Sequence, residues 1–87
     1  MESYRIDWRR SARKELRRIT PNAIRRILEA VEDLERDPFP TGCQKLSGSD
    51  CAFRIRVGDY RVIYEVFRDS LVVEVVRVRH RRDVYRQ

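Results

Sequence analysis

The chain opens with an alternating stretch, "SYRIDW", in which Tyr4, Ile6 and Trp8 fall on one side and Arg5 and Asp7 on the other. A period of two predicts a half-buried strand over about residues 2 to 8. From residue 9 the spacing lengthens: Ala12, Leu16 and Ile19 recur four and three residues apart, on one face of a short helix. Arg9, Arg10, Arg13, Lys14, Arg17 and Arg18 crowd the rest of its surface, as a solvated face or an RNA contact. "TPNA" starts a second helix, with Thr20 as N-cap and Pro21 at the first helical position, where its missing N–H costs nothing. Ile24, Ile27, Leu28, Val31 and Leu34 follow at helical spacing, and the helix is predicted to run to about Arg36, because Asp37 precedes Pro38. Two neighbouring helices with matching apolar stripes predict a helical hairpin.

Residues 37 to 50, "DPFPTGCQKLSGSD", show no sustained period and predict a long connection anchored by Phe39 and Leu46. Alternation then returns. Phe53, Ile55 and Val57 interleave with Arg54 and Arg56, and Tyr60, Val62, Tyr64 and Val66 with Arg61, Ile63 and Glu65. Residues 71 to 78, "LVVEVVRV", are apolar on both faces, which suits a strand interior to a sheet. From Arg77 onward "RVRHRRDVYR" reads as a basic tail. The order β-α-α-β-β-β predicts an α+β fold: one small domain over residues 1–87, its N-terminal helical hairpin packed on one face of a mainly antiparallel four-stranded sheet.

Gly58 at the first central position of the "VGDY" turn fits a two-residue type II′ hairpin. Residue 57 then faces 60, 56 faces 61 and 54 faces 63, so the apolar sets of both strands share one face. Arg54, Arg56 and Arg61 meet on the other. Like charges directly opposite on a sheet cost about 0.2–1 kcal/mol per pair. Either these arginines splay into solvent or are offset by Glu65 and Asp83, or they form a pocket for an anion. Phosphate suits such a pocket, because guanidinium matches its oxygens bidentately.

Composition sharpens the second reading. The 87 residues carry a formal net charge of +6 and a pI near 10.0, from 18 arginines and two lysines against 14 acids. That balance favours a polyanionic partner, nucleic acid first, although a base-composition bias in the genome also produces arginine. Cys43 and Cys51 have no second pair to complete a zinc spacing, and free thiols in a reducing cytosol are expected. With no apolar leader and no run near the roughly 18 residues a span needs, a soluble cytoplasmic protein without a membrane partner is expected. No paired acids or clustered His/Cys ligands point to a metal or cofactor. In the tail, basic residues surround Tyr85, the combination single-stranded RNA recognition uses, and His80 is the only histidine.

Four fragments, "YRIDW…SARKEL", "DPFPTGCQKLSG", "FRIRVGDYRVIYEV" and "VRHRRDVYR", together resemble the RelE/ParE toxin superfamily, closest to its RelE-like ribonuclease branch. The resemblance implies a microbial-ribonuclease-like fold. It also implies the toxin of a type II toxin–antitoxin pair, an mRNA interferase that cuts messages in the ribosomal A site and is silenced by a cognate acidic, RelB-like antitoxin. Arg54 and Arg56 fall at two basic positions where family members often have lysine, Arg61 on the phosphate-binding arginine, Arg81 on the arginine of the C-terminal motif and Tyr85 on the tyrosine near the end. Lys45, Arg79 and Arg82 are further expected RNA-binding residues. Arginine is a poor general base, so the two Arg-for-Lys departures bear on proton transfer.

The implied reaction is metal-independent attack of the RNA's own 2′-OH on the adjacent phosphorus. Arg61 and Arg56 would stabilise the added negative charge. Arg81 would hold the leaving-group side, Tyr85 would stack on or orient the base, and His80 would donate or accept a proton. Two alternatives share the fold: a ParE-like inhibitor of DNA gyrase, against which the Arg81 and Tyr85 matches argue, and an inactive basic module that binds RNA or antitoxin.

Overall fold

The structure is a computed structural model that describes residues 3–84. Its elements are β1 (Arg5–Trp8), α1 (Arg10–Leu16), α2 (Pro21–Asp33), β2 (Gln44–Lys45), β3 (Ala52–Val57), β4 (Tyr60–Phe67), β5 (Val72–His80) and α3 (Arg81–Val84). The strands form one sheet in the order β1-β5-β4-β3-β2, antiparallel except where β1 lies parallel to β5. The α+β class and the interior position of the last strand are as expected. The sheet has five strands rather than four, because the 37–50 connection contributes β2. Two polar residues with no apolar alternation carry no periodic signal, so β2 exists only through its pairing with Phe53 and Arg54.

Apolar faces of the two helices supply Ala12, Ile27, Val31 and Leu34 to a core completed by Ile55, Val62, Tyr64, Val66, Val73, Val75 and Val78. Leu28, read as part of the α2 stripe, is exposed. β1 begins at Arg5, whose N–H donates to Leu71 O at 2.8 Å, and on its other side the Tyr4 N–H donates to Glu35 O at 2.8 Å, tying the strand to the chain just past α2. α2 starts after Thr20 as expected, with Pro21 leading, although the Thr20 side chain makes no capping bond. It ends at Asp33, and looser turns carry the chain on through Arg36.

Packing and hydrogen bonds tie down the long connection. The buried Tyr64 hydroxyl donates to Pro38 O at 2.7 Å, and Phe39 meets Phe53 edge-on with centroids 4.9 Å apart. Phe53 in turn stacks on Tyr64 at 6.1 Å. Burial raises the Tyr64 phenol above its ordinary pKa, so it stays a donor. Leu46 is only partly buried and is held through its backbone, its N–H donating to Ala52 O at 2.9 Å.

A bulge in β5 decides which side chains face which way. Ile63 pairs with Arg77 but Tyr64 pairs with Val75, which leaves Val76 as one extra residue on β5. Before it, odd-numbered Val73 and Val75 enter the core; after it, Val78 does. Arg77 and Arg79 are thereby carried to the opposite face. Residues 77–80, read as the start of a basic tail, therefore belong to the sheet.

α1 completes the edge of β5 beyond the end of β1. Arg9 N–H donates to Val75 O at 2.9 Å, the last rung of the parallel pairing. The Ser11 hydroxyl then donates to Val76 O at 2.7 Å, and Glu15 Oε1 accepts from the Val78 N–H at 2.7 Å. Ser11 and Glu15 are four residues apart, so one helix face serves both groups.

Candidate nucleic-acid interface

The 58–59 turn is built as the sequence predicts. Gly58 has φ +59° and Asp59 has no positive φ, as a type II′ turn requires. The register follows: Val57 faces Tyr60, Arg56 faces Arg61 and Arg54 faces Ile63. On the next strand Arg61 faces Arg79. Three arginines, Arg56, Arg61 and Arg79, thus form a row across β3, β4 and β5, with neighbouring strands about 4.8 Å apart.

Arg61 is the centre of this row and the one buried charged residue among those described, with 8% of its surface exposed. It lines an open cleft of about 340 Å³ together with Gly42, Gln44, Arg54 and Arg56. Gln44 is fixed by β2, opposite Arg54, and its side-chain oxygen accepts a hydrogen bond from Arg54 Nη2. Arg61 itself makes one long bond, to Tyr60 O at 3.4 Å. Among the described residues no carboxylate pairs with Arg54, Arg56 or Arg61.

The same sheet face shows how like charges are handled elsewhere. Glu65 lies directly opposite Glu74, and Arg9 bridges them at 3.3 and 2.8 Å. The hydrogen bond to Glu74 is the main cause that raises the Arg9 pKa further above its ordinary value. Arg79, at the outer end of the arginine row, is paired with Glu15 at 3.4 Å. Among the described residues Arg56 and Arg61 have no such counter-ion. A half-sequestered cluster of planar donors with open hydrogen-bonding capacity is an anion site by its chemistry.

Comparison with known proteins supplies the family. The family model described as "ParE toxin of type II toxin-antitoxin system, parDE" matches residues 6–85. Toxin RelG of Mycobacterium tuberculosis is 32% identical over 88 residues, covering 97% of this chain and 98% of that protein. Among solved structures, the archaeal RelE–RelB complex from Pyrococcus horikoshii matches with a TM-score of 0.82 and 32% identity, over 91% of this chain and 96% of that one. The toxin–antitoxin complex RelBE2 from Mycobacterium tuberculosis matches at 0.79 with 26% identity, over 90% and 98%. The chain belongs to the RelE/ParE toxin superfamily.

Within this toxin the expected site residues divide by face. Arg54, Arg56, Arg61 and Arg79 share the open face. His80 does not join them: it pairs with Tyr60 on the helix-facing side, its ring edge-on to Tyr60 at 5.3 Å. Its Nδ1 accepts from the Arg82 N–H at 3.3 Å. The parity change at Val76 accounts for this placement, since it sends His80 the same way as Val78. Lys45 likewise pairs with Phe53 and shares the core-side face, so Gln44 is the β2 residue at the cleft. Arg81 and Arg82 are exposed on α3, which is tied to the hairpin turn by the Arg81 N–H donating to Asp59 O at 2.7 Å. Tyr85 and the Asp83 side chain lie outside the described residues. Gln44, Gly42 and Glu15 were not singled out from the sequence. For Gln44 the only trace was its place in the connection before β3.

Proposed function

We propose that this toxin is a ribosome-dependent messenger-RNA endoribonuclease whose cleft binds the scissile phosphate through Arg61. The observation that carries this reading is the buried, carboxylate-free Arg61 between Arg56 and Arg79. Guanidinium and amide groups are donors to phosphate oxygens rather than metal ligands, which favours cleavage by the RNA's own 2′-oxygen. The 2′-oxygen loses its proton and bonds to phosphorus, the P–O5′ bond breaks, and the 5′-oxygen takes up a proton. The products are a 2′,3′-cyclic phosphate and a 5′-hydroxyl.

Arg61 and Arg56 stabilise the phosphorane's charge, Arg54 and Arg79 hold flanking phosphates, and Arg81 and Tyr85 act on the leaving-group side. His80, on the other face, has no part in the cleft, and no side chain there is a strong general base. Rate then depends on the ribosome to align the message, and the isolated protein is slow on free RNA. The toxin works in the cytoplasm and is silenced by an acidic RelB-like antitoxin, in keeping with its +6 charge.

Expression of wild type, Arg61→Ala and Arg81→Ala in a bacterium, with mapping of message ends, tests this. Codon-phased cuts lost in both variants support it. Growth arrest with altered DNA supercoiling and intact messages replaces it with gyrase inhibition, and absence of arrest replaces it with a binding module.

A further inference from the structure

Glu15 holds more of this region together than any other side chain described. One carboxylate makes three contacts: Oε1 accepts from the Val78 N–H at 2.7 Å, and Oε2 lies 3.4 Å from Arg79 Nε and 3.6 Å from Arg77 Nη1. The contact to Arg79 is through Nε, at the root of the guanidinium, so both terminal nitrogens remain for another acceptor. The Val78 bond places the carboxylate on the edge of β5 two residues past the bulge. Its position relative to the strand is therefore set by backbone geometry and not by its own rotamer alone. Arg79 then stands beside Arg61, where an isolated second cation would be repelled.

We infer that Glu15 is a positioning residue for the arginine row: it grips Arg79 from behind and presents its terminal nitrogens to an RNA phosphate beside the one held by Arg61. This rests on the ribonuclease reading of the same cleft. It departs from a purely structural role, because the Val78 bond alone would dock α1 without any need for charge. It departs equally from a simple counter-ion role, because a counter-ion met through the terminal nitrogens would compete with RNA for them.

Glu15→Gln separates these roles, since the amide oxygen still accepts the Val78 N–H while the charge that grips Arg79 is gone. Cleavage on programmed ribosomes is expected to fall about tenfold in kcat/KM, up to the roughly hundredfold that misplacement by an ångström costs, chiefly through a raised KM, because a flanking phosphate is held alike before and during the reaction. In an Arg79→Ala background the same change is expected to cost nothing further. An equal loss in both backgrounds, or no loss in either, overturns the inference. A second measurement does not depend on activity: the ion pair is expected to keep the Arg79 Nε group ordered in wild type, read as a high side-chain order parameter in NMR that falls in Glu15→Gln, with Val78 amide protection kept in both. If the wild type leaves messages intact, the ribonuclease reading fails and this measurement alone decides the positioning role, equal order in the two proteins overturning it.

Discussion

Two residues show how much one side chain can be asked to do. Arg61 is buried as few arginines are, yet its neighbours are arginines rather than acids, so its charge is useful only when an anion enters. Arg61→Ala is expected to lower cleavage about 10²–10³-fold, by analogy with loss of a preorganised donor to developing charge, with thermal stability kept or raised. Arg61→Lys is expected to restore little, since a point charge does not reproduce the bidentate fork. His80→Ala should leave turnover within about twofold, measured on the same ribosomal substrate; a loss as large as that of Arg61→Ala would place His80 in the reaction. Tyr64 is the structural counterpart. Tyr64→Phe leaves the Pro38 carbonyl without its donor and is expected to cost about 1–3 kcal/mol in denaturant unfolding. The native phenol holds its proton to higher pH than the unfolded one, so the stability it contributes is complete below about pH 10 and declines as pH rises further. A Tyr64→Phe variant should lack that alkaline decline.

At the scale of elements, the β3–β4 hairpin was legible because three signals agreed: Gly58 at a turn position needing positive φ, apolar sets that align in only one register, and a two-residue loop. Gly58→Ala should cost about 1–2 kcal/mol of unfolding free energy, since an alanine Cβ disfavours φ +59° and would also sit 3.4 Å from Arg26. β5 was legible as an interior strand but not in its facing. From Val73 to Arg79 the doublet Val75–Val76 is the one break in the alternation, and it is the trace of the bulge; read with Leu71–Val73 as continuous apolarity, it hides the turn of Arg77 and Arg79 onto the cleft side. His80 and Lys45 were assigned by residue type and family position, and pairing alone determines their faces. β2 and Glu15 were hidden for a different reason. Each depends on a strand edge made elsewhere in the chain, that of β3 for β2 and that of β5 beyond the end of β1 for Glu15, and no local pattern in the sequence records where an edge is left open.

For the molecule as a whole, charge is segregated on one sheet face: Asp7, Glu65 and Glu74 gather at one end, paired with Arg5 and Arg9, and the arginine row, with no carboxylate on Arg56 or Arg61 among the described residues, lies at the other. A polyanion should therefore dock in one orientation along the face. If Arg54, Arg56, Arg61 and Arg79 each neutralise one phosphate of a single strand, the logarithm of the RNA binding constant should fall with log salt at a slope of about −3. Arg54→Ala should flatten that slope by about 0.7, as read by fluorescence anisotropy on a 2′-O-methyl oligonucleotide. The extra residue at Val76 is what reconciles the two halves of β5. Deleting it would make the β4–β5 ladder continuous, with Arg77 and Arg79 still on the cleft side and Val78 still in the core, because ordinary alternation from Val75 already places them so. The interface therefore tolerates a miscount at this one point, and a Val76 deletion is expected to preserve RNA binding, in the same anisotropy measurement, better than Arg61→Ala does.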